Sequence, residues 1–417
     1  MTRVAVIGAG LAGLVAALRL AEGGAQVTVV AKGAGSLHLS PATIDVLGYA
    51  PERVGSPQEA MPGLVADRPG HPYAHVGEAV PEALAWFAER VPGMAYRGDG
   101  PRNLLLPSAV GVPRPTALAP ASMAAGDLRA GGRFVVVGLA GLKDFFPRLL
   151  ADNLARAPLP PGASVTARHT QITASPRPGE ADVSGPVHAR ALDDPAFRAT
   201  FAHALRDVIE PGETILIPAV LGLARAGEAW SELQDRVGAP IAEIPTVPPS
   251  VAGMRLQAEL ISALTAAGVG VVMGPEAVGC EGAGGRITDV LVRDAARTRA
   301  LPVDAVVLAT GGFAAGGIEL DSHGTLRETV LDLVVGGPAE GVAPLSPRHL
   351  DHQPLMAAGV RVDDDLRPLD ADGRPAWGNL RAAGSIVGGA EPWREKSGEG
   401  IAIASAFRAA GTILEES

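Results

Sequence analysis

The chain opens on an unbroken apolar run that stops in glycines, "VAVIGAG". A run without polar alternation is the pattern of a strand covered on both faces. "LAGLVAALRLAEGG" follows with helical spacing and polar breaks at Arg19 and Glu22. "AQVTVVAKG" is a second apolar strand. Residues 251–318 return to the same mode. "MRLQAELISALTAAG" reads as an amphipathic helix, "VGVVMGPEAVGCEG" and "GRITDVLVRD" each contain a strand, and "ALPVDAVVLATGG" is a buried strand ending at Gly311 and Gly312. A third visit spans 378–407, "GNLRAAGSIVGGAEPWREKSGEGIAIASAFRAA". Its short strand runs to Gly384, the pair Gly388-Gly389 follows, and Gly398 and Gly400 open an apolar helix.

Between these visits the pattern changes. Residues 51–250 and 319–374 show no regular alternation of strand and helix. "GEAVPEALAWFAERV", "DDPAFRATFAHALRDVIEPG" and "ARAGEAWSELQDRVG" read as helices; "GGRFVVVGLAGL" and "ETILIPAVLGL" contain strands; a helix start is expected near Lys143-Asp144. The expected fold is α/β. A Rossmann-like FAD/NAD(P)-binding domain is assembled from the discontinuous segments 1–50, 251–318 and 375–417. An inserted α+β cap domain takes 51–250 and 319–374. A chain of 417 residues is long enough for two such interleaved units.

The first turn carries chemistry. Gly8, Gly10 and Gly13 form G-x-G-x-x-G between a strand and a helix, the context the dinucleotide fingerprint requires. Gly8 permits the tight turn, Gly10 lets a pyrophosphate approach, and Gly13 permits close helix–strand packing. The anion then meets free N–H groups at the helix N-terminus. One element of the pattern is missing. The second strand normally ends in an acid that binds the adenosine ribose, but Ala31 stands there with Lys32 beside it. FAD, FMN and NADP(H) all remain open on this reading, and Lys32 is a candidate phosphate contact. FMN has no adenosine ribose and so does not need the acid.

"GAGSLHLSPATIDVLG" follows, with Ser36, His38 and Ser40 as polar candidates for flavin contact. Ser40 or Thr43 is placed to cap a short helix with Pro41 in its first turn. Two proline-rich stretches hold arginines, Arg114 in "GVPRPTALAP" and Arg255 in "EIPTVPPSVAGMRL". Either guanidinium is a candidate clamp for a phosphate or carboxylate. His71, His75, His323, His349 and His352 are scattered. His349-x-x-His352 has ligand-like spacing without a third ligand, so no metal site is assigned. No catalytic base is assigned either.

Composition narrows the classes. The formal net charge of −10, without a long Lys/Arg block, argues against nucleic-acid binding. One cysteine, Cys280, excludes an internal disulfide and an iron–sulfur cluster held by this chain alone. Apolar stretches are broken before membrane-spanning length, and no basic leader precedes the first strand. The expectation is a cytoplasmic chain, without direct transmembrane insertion.

The order of motifs resembles the B subunits of anaerobic glycerol-3-phosphate dehydrogenase, flavoproteins of the fumarate reductase-like superfamily. The matching pieces are "VIGAGLAGLVAALRLAEGG", "GAGSLHLSPATIDVLG", "HPYAHVG", "RPTALAP", "ETILIPAVLGL", "IPTVPPSVAGMRL", "VVLATGGF" and "NLRAAGSIVGG". The resemblance implies oxidation of sn-glycerol 3-phosphate to dihydroxyacetone phosphate within a complex. It implies two partners and electron flow to quinone. One partner is the flavoprotein A subunit. The other is the iron–sulfur C subunit, which docks the assembly at the inner face of the membrane. The resemblance also implies FMN in this chain, with FAD the close alternative. The other readings are a self-sufficient fumarate reductase-like oxidoreductase and a non-catalytic structural subunit with a vestigial nucleotide fold.

Overall fold

The computed structural model describes residues 1–295, 297–339 and 341–417. In chain order, its main strands are Arg3–Ile7 (β1), Gln26–Ala31 (β2), Gly132–Leu139 (β3), Val165–Ile172 (β4), Thr214–Pro218 (β5), Ile241–Ile244 (β6), Gly270–Met273 (β7), Ala305–Leu308 (β8) and Leu380–Ala382 (β9). They form two sheets, ordered β7-β2-β1-β8-β9 and β6-β5-β3-β4. Every pairing within both is parallel.

The first sheet draws on all three glycine-bearing segments. Its register aligns Ile7 with Val30 and Leu308, Val30 with Val272, and Leu308 with Ala382. The carboxyl ends of the strands therefore lie along one edge, where open α/β sheets bind ligands. Helices Leu11–Glu22 (α1), Pro147–Leu154 (α2), Gly185–Leu192 (α3), Pro195–Arg206 (α4), Ala226–Val237 (α5), Val251–Ala266 (α6) and Gly398–Glu415 (α7) pack around the sheets. α1 buries Leu14, Val15, Leu18 and Leu20, and α7 buries Ile401, Ile403 and Ile413 in the same core. Each such side chain contributes about 1.5–3 kcal/mol of burial. At the far edge, the wholly buried Arg381 of β9 donates to Thr412 (3.0 Å) and pairs with Glu416, tying the end of α7 to the sheet. Arg3 and Asp304 pair at 2.8 Å where β1 and β8 begin.

The inserted segment differs from expectation. Residues 132–244 alternate strand and helix and build the second parallel sheet around its own core, which includes Val136, Leu150, Phe201, Leu216 and Leu233. The alternation escapes the hydrophobic pattern because β4, "VTARHTQI", is a largely solvent-facing edge strand whose composition is polar. The helix expected near Lys143-Asp144 begins at Pro147.

His188 on α3 is fully buried, and neither ring nitrogen has a hydrogen-bond partner among the described residues. Burial alone lowers its pKa from 6.5 to about 4. The unfolded chain accepts the proton near pH 6.5, whereas the folded chain refuses it until about pH 4. The stability gained by keeping this ring neutral is full above the unfolded value and falls by roughly 3 kcal/mol as pH drops to the folded one. His188→Leu should flatten the decline in urea-melt stability across that window. Identical pH profiles for the two proteins would refute this reading.

Candidate functional site

The glycines of the carboxyl edge fall into two kinds. Most hold backbone against backbone. Gly8 has φ +114°, and a Cβ there would lie 2.2 Å from the Ala309 carbonyl oxygen. A Cβ on Gly13 would lie 2.0 Å from the Gly8 carbonyl oxygen. Gly312 is pressed on Ser385, whose hydroxyl accepts its N–H at 3.1 Å. Gly311 packs on Ala315, Gly384 on Ala12, Gly388 on Gly359, Gly389 on the Gly70 carbonyl, and Gly400 on Val46 and Tyr73. Gly10 is different. It precedes α1 in extended conformation, and a Cβ there meets no atom within 4 Å. Its carbonyl accepts the first intrahelical bond, from Leu14 N at 3.0 Å. The N–H groups of Leu11, Ala12 and Gly13 are thus first-turn donors beside open space. At Gly398, at the start of α7, an added Cβ would meet one atom, Pro392 Cβ, at a tight 3.3 Å. A small cavity of about 20 Å³ lies between Ser385 and Gly398, lined also by Met356, Ala357 and Ile401. The buried Thr310 hydroxyl, at the same sheet edge, has no hydrogen-bond partner among the described residues. Two helix N-termini, a free hydroxyl and space beside Gly10 together suit a phosphate-bearing nucleotide.

The loop after β2 follows the sequence reading only in part. Lys32 points outward and pairs with Glu276 at 3.3 Å, a carboxylate that also holds Arg293 at 2.7 Å. Such an exposed pair contributes little. Leu37–Leu39 forms a single 3₁₀ turn pressed onto α6, where a Cβ on Gly253 would lie 2.0 Å from the Leu37 carbonyl oxygen. Ser36 is exposed, and His38 fixes the loop through its backbone carbonyl, which accepts from Ser250 N at 2.8 Å. The short helix expected after Ser40 does not form. Ser40 Oγ accepts instead from Ala42 N at 3.1 Å, closing a local turn that competes with a helix.

Arg255 is not a ligand clamp. It is buried on α6 and forks onto Glu243, with contacts of 2.7 and 3.0 Å, while its Nε donates to the Gly222 carbonyl at 2.8 Å. Glu243 also accepts from Leu221 N and Ser122 Oγ. Burial pushes this carboxyl up, but Arg255 and the other donors prevail and hold it below the usual range. Nothing in "VAGMRL" distinguishes such a structural arginine from a ligand-binding one.

Arg114 lies elsewhere, on the strand Pro113–Thr116, and pairs with the buried Asp45. Lys396 and Glu399 face this pair from the turn before α7 and from its first turn. The sequence reading singled out Arg114 from this group and missed Asp45, Lys396 and Glu399. The available signal was an acid lodged between two glycines at a helix start, "SGEG".

The histidines do not converge on a metal. Among the described residues no group of three or more potential ligands occurs. His71 is buried; its Nδ1 accepts from Tyr73 N, so in the neutral ring Nε2 is the donor to Glu395 at 3.1 Å. Burial raises the Glu395 pKa, but His71, the Glu391 N–H and Arg68 bring it down to about 2. His323 sits in an exposed turn, His349 stacks on Trp393, and His352 bonds Glu391 at 2.7 Å. A cavity of about 620 Å³ lies beside this network, with His75, His352 and Arg361 among its lining residues.

Two substitutions separate structural from ligand-facing groups. Arg255→Ala strands Glu243 as a buried, unpaired charge and should cost about 3–5 kcal/mol in a denaturant melt. Gly13→Ala drives a methyl into the Gly8 carbonyl and should cost at least about 1–3 kcal/mol. A near-normal melting temperature for either variant contradicts the packing described.

Among solved structures, the 3-ketosteroid Δ1-dehydrogenase of Sterolibacterium denitrificans aligns with TM-score 0.48 and 12% identity over 100% of both chains. The FAD binding domain family matches residues 3–401. The chain is 33% identical over 435 residues to the probable anaerobic glycerol-3-phosphate dehydrogenase B subunit of Halobacterium salinarum, covering 100% of this chain and 98% of that protein. It is 32% identical over 428 residues to the anaerobic glycerol-3-phosphate dehydrogenase B subunit of Yersinia pestis, covering 99% and 98%. The chain therefore belongs to the FAD-binding domain family and, within it, to the family of anaerobic glycerol-3-phosphate dehydrogenase B subunits.

Proposed function

We propose that this chain is the flavin-bearing B subunit of a quinone-linked glycerol-3-phosphate dehydrogenase, acting in the conversion of sn-glycerol 3-phosphate to dihydroxyacetone phosphate. The observation that carries the reading is end-to-end likeness to B subunits, at 33% identity over 100% of the chain. The partners are the flavoprotein A subunit and the iron–sulfur C subunit. Among the described residues no helix is long and apolar enough to cross a membrane, so the docking role falls to a partner.

A flavin, when bound, supplies reversible hydride and electron transfer. The residues here fit such a group. Gly10 leaves room for its phosphate, the first turn of α1 offers N–H donors, and the start of α7 offers a second set beside Gly398. Of the two flavins, FMN accords better with the end of β2. Ala31 is buried and has no polar group, and the nearby Glu276 already holds Lys32 and Arg293. Arg114 is neutralised by Asp45, which leaves it poorly suited to clamp a substrate phosphate by itself. That supports a division of labour in which the A subunit oxidises the alcohol and this chain relays electrons.

The flavin released from the denatured chain, identified by absorbance and mass, decides between FMN and FAD. FMN is the expected result; FAD would show that other groups hold the adenosine. Gly10→Val should fold with a near-normal melt, because its Cβ meets open space, yet lose most of its flavin. Retention of flavin at the wild-type ratio would remove Gly10 from the site. The chain alone should show no glycerol 3-phosphate oxidation with an artificial electron acceptor, and full activity there would overturn the relay role.

A further inference from the structure

We infer that the cavity of about 620 Å³ is a binding site for a hydroxylated organic anion, with Arg361 receiving the anionic group and Nε2 of His75 and His352 accepting from the hydroxyls. The inference goes beyond the flavin reading and does not depend on it. It concerns binding and assigns no oxidation to this chain.

The walls of the cavity are tied to one another. The lining is drawn from Gly70 and His75, from the residues beside Gly336, from 352–369 and from 387–389. A Cβ on Gly389 would lie 2.0 Å from the Gly70 carbonyl oxygen, and one on Gly359 would lie 2.3 Å from Gly388 N. Val335 and Gly336 pair antiparallel with Val360 and Gly359. Two buried carboxylates join the same stretches. Glu391 holds His352 at 2.7 Å and accepts from Gln353 N at 2.9 Å. Glu395 holds His71 at 3.1 Å and Arg68 at 2.7 Å, and accepts from Glu391 N at 3.0 Å. The space is therefore preformed, and its volume is that of a small-molecule site.

The charge of the lining is one-sided. The chain carries a net charge of −10, yet among the described residues no Asp or Glu lines the cavity. Its ionisable side chains are His75, His352 and Arg361. The nearby acids hold the imidazoles without reaching the lining themselves. Asp364 bonds Nδ1 of His75 at 3.0 Å, and Glu391 bonds Nδ1 of His352 at 2.7 Å. A carboxylate there makes Nδ1 the donor, so the neutral ring keeps Nε2 as an acceptor. Neither Nε2 has a hydrogen-bond partner among the described residues. Two free acceptors match O–H donors on a ligand. Arg361 has one side-chain hydrogen bond among the described residues, to the Asp370 carbonyl at 3.3 Å. The rest of its planar donor fork suits a phosphate or carboxylate. Val342, Val360, Val362 and Leu369 leave apolar wall for the carbon skeleton. A cation matches poorly, because no acid faces the space and no group of three potential metal ligands occurs among the described residues. A phosphate monoester of a polyol and a hydroxycarboxylate share the chemistry this lining recognises.

The test uses the full chain labelled with nitrogen-15 histidine, carrying whatever flavin it retains, so failure here leaves the flavin reading untouched. The ligands are sn-glycerol 3-phosphate and glycerate. Inorganic phosphate and glycerol are the controls, each lacking one half of the recognised chemistry. At least one of the two ligands should shift the Nε2 signals of His75 and His352, identified by their loss in His75→Gln and His352→Gln. The signals of the buried His188 should stay in place. A response to glycerol 3-phosphate alone assigns the site to phosphate esters, and a response to glycerate alone assigns it to hydroxy acids. Calorimetry should show that ligand bound at least about tenfold more weakly by Arg361→Gln, the loss expected for a charge-assisted hydrogen bond. Arg361 is exposed, so this variant should keep a near-normal melt. Both controls should bind at least about tenfold more weakly than the ligand. Unmoved His75 and His352 signals with both ligands at millimolar concentration would overturn the inference. So would inorganic phosphate binding as tightly as the ester, which marks an adventitious ion only, or unchanged affinity in Arg361→Gln.

Discussion

Backbone contact at the carboxyl edge of the first sheet is the constraint on which the rest of the molecule depends. Gly13 lies on the Gly8 carbonyl, and Gly8 lies on the Ala309 carbonyl. No side chain fits between them. The result is that α1, β1 and the end of β8 meet with their polar termini aimed at one place. Residues separated by some 300 positions in the chain are brought within contact by missing methyl groups (a register that an alanine at either glycine would break). Gly10, between them, is left facing open space. Packing thus explains why most of these glycines are there and sets Gly10 apart from them.

Charge is handled in a consistent way away from that edge. Arg255 with Glu243, Arg381 with Glu416 and Thr412, and Glu395 with His71, Arg68 and Ser397 are buried groups with several partners each. A buried ion costs several kcal/mol unless it is paired and hydrogen-bonded, and these meet that demand. The Asp45, Arg114, Lys396 and Glu399 group does not. One of its carboxyls and one of its cations lack ion-pair partners among the described residues, at the start of α7. Incomplete pairing of this kind is where electrostatic sensitivity concentrates in folded proteins.

The inserted unit has a separate logic. Its parallel sheet carries its own core and contributes Glu243, which grips Arg255 at the first turns of α6. α6 in turn carries the 3₁₀ turn of the 33–40 loop at Gly253. A mechanical path therefore joins the inserted core to the loop beside Gly10, where Gly35 also rests on the Gly10 backbone. The second sheet thereby supports the loop beside Gly10.

What the sequence determined by itself was local or periodic. The apolar runs of β1, β2 and β8, the fingerprint at Gly8, Gly10 and Gly13, and the apolar helix after Gly398 were legible because strand burial, turn geometry and helix spacing leave marks on neighbouring residues. The family resemblance was legible for the same reason, in the order of those pieces. The polar edge strand β4 hid the second parallel sheet, since an exposed edge needs no hydrophobic pattern. Arg255 and Arg114 looked alike in the chain, each on a proline-rich stretch. Only the tertiary structure set Glu243 against one and Asp45 against the other, and placed Glu399 within reach of both Asp45 and Lys396. Whether a charged side chain serves packing or chemistry depends on partners distant in sequence, because electrostatic interaction is fixed by separation in space and by burial.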